Sequence, residues 1–197
     1  MWDQRYSGHG FAYGTAANDF LTSMLDKLPG GRALCLAEGE GRNAVWLAQQ
    51  GRDVTALDAS AVGLDKARKL AASRGVSITT VHADLADYAI AAGHWDLIVS
   101  IFAHLPPALR QRVHQGCVEG LAPGGMMLLE AYTPNQLEYK TGGPPAVDLM
   151  MDSGILRHEL GALEFVHLQE CVREVHEGDF HTGTGAVVQL LAQKPAA

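Results

Sequence analysis

The sequence predicts an α/β fold: a doubly wound, mostly parallel sheet with a C-terminal antiparallel hairpin. Three observations predict it. Helix and strand patterns alternate through the first two thirds of the chain, which calls for a parallel sheet with helices on both faces. An apolar run, Ala33 to Leu36, enters a Gly-x-Gly turn, and a second apolar run ends in Asp58. Two long β-type runs near the C-terminus are joined by the short Gly-bounded connection Gly178-Asp-Phe-His-Thr-Gly183, a hairpin signal.

The elements follow in order. Asn18 to Lys27 reads as a helix with Phe20, Leu21, Met24, Leu25 and Leu28 on one stripe, closed by Pro29-Gly-Gly31. Strand one is Ala33 to Leu36, followed by a helix from about Arg42 to Gln50 with Gly51 as its stop. Strand two is Val54 to Leu57. Ser60 caps a helix bearing Leu64, Ala67 and Leu70 that ends near Gly75. Strand three is Ile78 to Val81. Strand four, Asp96 to Phe102, is apolar after its first residue except at Ser100, as a strand buried on both faces is. His104-Leu-Pro-Pro107 opens the next helix, with proline in its first turn. Gly124-Gly125 leads to strand five, Met126 to Tyr132. Thr133 to Pro145 reads as a long loop, a length that marks a functional or disordered segment. Asp148 to Leu160 reads as a helix, and Leu163 to Glu177 and Thr184 to Gln193 as the closing strands.

At 197 residues the chain suits one domain: an N-terminal lid and helix (1–28), a core (32–132) and a C-terminal loop, helix and hairpin (133–197). A hydrophobic content of 47% with 19% charged residues is that of a soluble globular protein. The net charge of −7 argues against nucleic acid, whose phosphates require a basic surface. No apolar run approaches the roughly eighteen residues of a membrane span, and Met1-Trp-Asp-Gln-Arg-Tyr6 has no apolar signal region. Cys35, Cys117 and Cys171 are odd in number, far apart and set in apolar stretches, as free thiols of a cytoplasmic protein are. The nine histidines form no H-x-x-x-H pair, so no metal site is expected. Oligomeric state is left open.

The turn carries the chemistry. Gly39-Glu-Gly41-Arg-Asn-Ala44 fits G-x-G-x-x-A, and Asp58 lies where a carboxylate takes the hydroxyls of a bound ribose. The layout is that of a nucleoside-cofactor cleft. Glu38 and Glu40 flank Gly39, and like charge at close range disfavours the pyrophosphate of a dinucleotide. None of the five tyrosines is followed by lysine in a Tyr-x-x-x-Lys pair, which weighs against a short dehydrogenase. The same carboxylates suit the sulfonium and ammonium of S-adenosylmethionine (SAM). A NAD-dependent oxidoreductase and a non-catalytic SAM-binding module remain as alternatives; an open acceptor cavity distinguishes an enzyme from the latter.

Six segments in order resemble the class I SAM-dependent methyltransferases, and among them the small tellurite-resistance and thiopurine-type enzymes. They are Trp2-Asp-Gln-Arg-Tyr6, Gly39-Glu-Gly-Arg-Asn43, Asp58, Ala83-Asp-Leu85, Leu121-Ala-Pro-Gly-Gly125 and Glu177-Gly-Asp-Phe-His-Thr-Gly183. The resemblance covers nearly the whole chain. It implies seven strands, SAM as cofactor and a small-molecule methyl acceptor. Two departures stand out: the family's acid near the end of strand one falls on Cys35, and its first glycine on Ala37. Glu38 then replaces the missing acid at the methionine end of SAM, while Glu40 is either part of the site or solvated.

The implied cofactor-side set is Arg5, Tyr13, Ala37, Glu38, Gly39, Arg42, Asp58, Ala59, Asp84, Leu85 and Ser100. Asp58 either takes the ribose or caps the following helix. Asp84 and Leu85 resemble the family's adenine pair; a simple Asx turn is the other reading. Arg42 sits in a helix first turn, where the macrodipole disfavours a cation, so it pairs with the SAM carboxylate or with Glu38, unless it is exposed. Arg5, Tyr6 and Tyr13 belong to a segment that folds over the methionine end, or that covers the sheet edge. On the acceptor side, His104 after strand four, His181 in the hairpin turn and Tyr139 in the long loop are the catalytic candidates, histidine being the usual base near neutral pH. An acceptor that is already a soft anion, such as a thiolate or a tellurium oxyanion, requires no strong base; a neutral hydroxyl or amine does. Strand four lacks the Asn/Asp-Pro-Pro-Tyr/Phe motif of nucleic-acid amino-methyltransferases.

Overall fold

The computed structural model describes residues 2–178 and 181–196. Seven strands form one sheet in the order β3-β2-β1-β4-β5-β7-β6. They are β1 (Arg32–Leu36), β2 (Asp53–Asp58), β3 (Thr79–His82), β4 (Trp95–Ile101), β5 (Leu121–Tyr132), β6 (Glu164–Glu177) and β7 (His181–Gln193). The first five are parallel, and β7 runs antiparallel to both β5 and β6. The doubly wound sheet with its terminal hairpin is therefore as the sequence predicts.

Alternation along each strand divides the core. Leu34 and Leu36 of β1 join Ile98, Met127 and Leu129 on one face. Ala33 and Cys35 join Leu97, Val99 and Leu128 on the other. Both faces are covered because β4 is apolar at consecutive positions, which only a central strand tolerates. The helices are α1 (Trp2–Tyr6), α2 (Asp19–Ser23), α3 (Arg42–Gln49), α4 (Ala61–Ser73), α5 (Pro107–Gly120), α6 (Gln136–Tyr139) and α7 (Ser153–Glu159). Among the described residues no helix is long and apolar enough to cross a membrane.

Several expectations need correction. The Asn18–Lys27 helix is two pieces, α2 and a 3₁₀ turn at Leu25–Lys27. The Asp148–Leu160 helix is a 3₁₀ turn, Val147–Leu149, and then α7, because Asp152 accepts from the Ile155 amide and caps a fresh start. The Thr133–Pro145 loop contains α6 and is fastened to β7: Gln136 accepts from the Ala186 amide and donates to Thr141 and Gly142. Leu121–Gly125, expected before strand five, is an irregular first stretch of β5. His181 is not in a turn. It is the first residue of β7, paired with Glu177 across the hairpin; Asp179 and Phe180 of that connection lie outside the described residues.

Gly41 shows why the cofactor-type loop admits only glycine. Its φ is +90°, and a Cβ there would lie 2.5 Å from the Ala67 Cβ of α4. Gly41→Ala is expected to cost about 2–5 kcal/mol, combining left-handed strain with overpacking. Urea unfolding measures it, and adding Ala67→Gly should show favourable coupling by relieving the clash; additive losses would mean that the α3–α4 approach is not the constraint.

Candidate functional site

The carboxyl ends of β1, β2, β4 and β5 open on one edge of the sheet, where open α/β sheets place their ligands. β7 reaches the same edge from the other direction. Tyr132 at the end of β5 pairs with Val187, so the stretch from His181 to Gly185 projects beyond it.

On the β1–β2 side, Ala37 (φ +48°), Gly39 (φ +63°) and Gly41 turn the backbone sharply. Asp58 is 5% exposed and accepts from the amides of Gly39 (2.8 Å) and Ser60 (2.7 Å), one on each oxygen. The helix cap itself is Ser60, whose hydroxyl accepts from the Gly63 amide. A carboxylate offers about four lone-pair sites, so Asp58 keeps acceptor capacity beyond these two bonds. Burial pushes its carboxyl up, against the two amides that hold it down.

Glu38 and Glu40 are both engaged by the protein. Glu38 Oε1 accepts from the Asn43 and Ala44 amides at the start of α3, where a carboxylate suits the helix dipole. Burial still lifts it to about 7. Glu40 is not solvated: it is 5% exposed, accepts from the Ala12 amide and pairs with Lys66, which also donates to Gly10 O. The carboxylates flanking Gly39 thus cap a helix and anchor the N-terminal segment.

That segment lies over the loop. Asp3 accepts from Ser60 Oγ, and Tyr6 is buried with its hydroxyl above Gly39. Arg5 donates to the Tyr13 hydroxyl. A Cβ on Gly178 would lie 2.4 Å from Ala12 O, so the segment packs directly on the hairpin backbone.

Arg42 is buried, and its ion pair is with Glu177 and not with Glu38. It donates to Glu177 at 2.6 Å, while its Nη1 is buried without a partner. Glu177 also accepts from Asn18, which donates to Glu130, and Glu130 receives Arg173 and Gln189. Burial pushes Glu177 up, but the neighbouring His181, then Arg42 and the Asn18 bond, outweigh it and hold it down at about 2. Glu177, Glu130 and Asn18 were not singled out as site residues. The available signal was Glu130, a lone carboxylate inside the apolar run Met126–Tyr132.

Asp84 is exposed and accepts from the Ala86 amide, the Asx turn, with Leu85 buried beside it. Ala59 is exposed and its carbonyl meets His82, and Ser100 is buried in β4.

The acceptor-side candidates separate. His181 meets the rings of Tyr13 (4.6 Å between centroids), Phe102 (4.9 Å) and Tyr132 (5.4 Å). His104 stacks on Tyr132 and Phe102. These five rings form one aromatic cluster, in which Phe102 and Tyr132 were not anticipated. Phe102 is placed there by a left-handed backbone (φ +53°) at the end of β4. Tyr139 is 38% exposed on α6 and has no ring contact with either histidine. Two surface grooves border the cofactor-side set: one of about 390 Å³ between residues 15–22 and α3, lined in part by Arg42, and one of about 480 Å³ between residues 85–90 and α5, lined in part by Leu85; neither is lined by His104, Tyr139 or His181.

The raised Glu38 gives a pH signature. The native state retains a proton on it between pH 4.5 and 7 that the unfolded chain has released, so its contribution to stability falls as pH rises through that window. Glu177, held low, contributes stability that is lost only as pH falls toward 2. Glu38→Gln keeps an acceptor for the two amides and should reduce the loss of stability between about pH 5 and about pH 8. Urea unfolding at both values tests this; an unchanged difference would clear Glu38.

Residues 33–125, just under half of the chain, match the sequence model of the methyltransferase domain family. A curated relative, 2-heptyl-1-hydroxyquinolin-4(1H)-one methyltransferase of Mycobacteroides abscessus, is 28% identical over 113 residues. The match takes in 56% of this chain and 47% of the relative, so the chain spans about half its length. Among solved structures, the protein studied for conversion of a disulfide bond into a thioacetal group during echinomycin biosynthesis superposes with a TM-score of 0.79 at 16% identity, covering 98% of this chain and 88% of that one. TehB from Haemophilus influenzae superposes with a TM-score of 0.75 at 21% identity, covering 98% and 65%. At these identities the structural likenesses show the fold. The family match makes residues 33–125 similar to a methyltransferase domain.

Proposed function

We propose that this chain transfers the methyl group of SAM to a small-molecule acceptor, a soft nucleophile such as a thiol, a thiopurine or a tellurite-like oxyanion. The observation that carries the reading is the pairing, on one sheet edge, of a nucleoside-type cleft with an aromatic cluster holding two histidines.

The residues present fit the cofactor. Asp58 has lone pairs for the ribose hydroxyls, and the buried, unpartnered Arg42 Nη1 suits the methionine carboxylate. Ala37, Gly39 and Glu38 would form the loop beneath it, Ala59, Asp84 and Leu85 would hold the adenine, and Ser100 would close the β4 side. Arg5, Tyr6 and Tyr13 cover the site from above. SAM supplies an activated methyl group, so the protein's work is orientation and exclusion of water. Seating the N-terminal segment on Gly178 and Glu40 serves both.

A second reading is transfer to a hydroxyl. It is favoured by the relative named for a hydroxyquinolone and by the histidines in the cluster. The remaining candidate, Tyr139, sits on the loop fastened to β7 and is proposed only to border the acceptor.

Calorimetry with SAM and with NAD tests the cofactor, and SAM should bind the tighter. Asp58→Ala should weaken SAM by about 1–3 kcal/mol, the cost of charged hydrogen bonds left unmade. Unchanged affinity would leave Asp58 as a loop-holding residue. Release of S-adenosylhomocysteine across thiols, thiopurines, tellurite and phenols decides the acceptor class, and turnover on phenols alone would remove the soft-acceptor reading.

A further inference from the structure

Both imidazoles of the aromatic cluster have their tautomers set by the protein. His104 Nδ1 lies 3.1 Å from Leu149 O. A carbonyl only accepts, so Nδ1 carries the proton and Nε2 is a bare lone pair. That Nε2 is buried with no partner. Burial holds His104 down at about 4, so the ring is neutral at physiological pH.

His181 has the same arrangement by a different route. Its Nδ1 is buried and faces Glu177 Oε2 at 3.6 Å. Glu177 and His181 pair across the antiparallel ladder, so their side chains share a face. Glu177 also accepts from Arg42 and Asn18, whose bonds favour its anion. A lone pair on Nδ1 would oppose that carboxylate, so the neutral ring carries its proton on Nδ1 and its lone pair on Nε2. The distance is longer than a hydrogen bond, as such pairs often are before a substrate is bound.

We propose that Glu177 is a positioning residue that fixes His181 with a bare Nε2, and that the two bare imidazole nitrogens select an acceptor arriving as a neutral X–H donor, a thiol or hydroxyl, over a preformed oxyanion. The inference rests on the methyltransferase reading and narrows its acceptor. His181 Nε2 takes the proton as X forms its bond to the transferred carbon. The electron pair of the breaking carbon–sulfur bond stays on the cofactor sulfur. Glu177 balances the imidazolium until its proton passes to water. An oxyanion would meet two lone pairs and a nearby carboxylate.

The first test needs no substrate. Nitrogen-15 spectra of the histidine-labelled wild-type protein at neutral pH should show both rings with the proton on Nδ1, and Glu177→Gln should mix the His181 tautomers. A wild-type His181 with its proton on Nε2 overturns the proposal, whatever the activity. The second test compares a protonated aliphatic thiol, an ionised nitrothiophenol and tellurite. With the aliphatic thiol, Glu177→Gln and His181→Ala should lower kcat by ~10²-fold while KM moves by less than about threefold, and Glu177→Asp should recover most of the loss. With the nitrothiophenol, which brings no proton, the same variants should lose about tenfold less, the part of the Glu177→Gln loss that comes from Arg42 being common to both thiols. Equal losses on both thiols, or tellurite as the best acceptor, overturn the proposal. Absence of SAM binding by the wild type overturns the methyltransferase reading instead, and the spectra then decide the tautomer claim alone.

Discussion

The constraint on which the rest of the structure depends is the buried charge network of Glu130, Glu177, Arg42 and Arg173, joined through Asn18. Glu130 is fully buried near the end of β5, and Glu177 stands at the hairpin tip. Taking a carboxylate out of water costs several kcal/mol, and only close, hydrogen-bonded partners offset it. Here the partners come from four places: α3, the cap of α2, β6 and β7. Each must be in position for the carboxylates to be satisfied. The network therefore fixes the hairpin against the cofactor loop, and with it the distance between the two halves of the site.

Glu177 is where the halves meet. One of its oxygens holds Arg42, the first residue of the helix after the Gly-x-Gly turn, and the same oxygen faces His181. Its charge thus serves a cation on the cofactor side and an imidazole on the acceptor side. A neutral side chain there would leave Arg42 buried and uncompensated, which is why the position demands a carboxylate and not merely a hydrogen-bond acceptor.

The N-terminal segment depends on a similar economy. Glu40 ties it down through the Ala12 amide and Lys66, and Asp3 reaches the cap of α4. Read as a one-dimensional pattern, Glu38 and Glu40 are two negative charges beside a ligand loop. In space one is a helix cap and the other an anchor. The argument that they repel a pyrophosphate survives only in part, because Lys66 neutralises Glu40 and burial lifts Glu38 toward neutrality.

Local order along the chain was sufficient for the sheet, since the apolar runs, their spacing and the glycines between them are local properties. The strand–turn–helix at Gly39, the cap at Ser60, the start of α5 at its prolines and the C-terminal hairpin were all legible for that reason. The short helices were not, because at Asp152 and Met24 a competing cap or a tighter turn ends a periodicity that still looks continuous. The partner of Arg42, the aromatic cluster of Phe102, Tyr132 and the two histidines, and the separation of Tyr139 from them were likewise beyond reach. By itself the sequence determined which segments become strands and helices and that a nucleoside-type loop lies between the first two strands. Only the tertiary structure decided which charges meet, because Asn18, Arg42, Glu130 and Glu177 are far apart in the chain, and burial, not spacing, selects their partners.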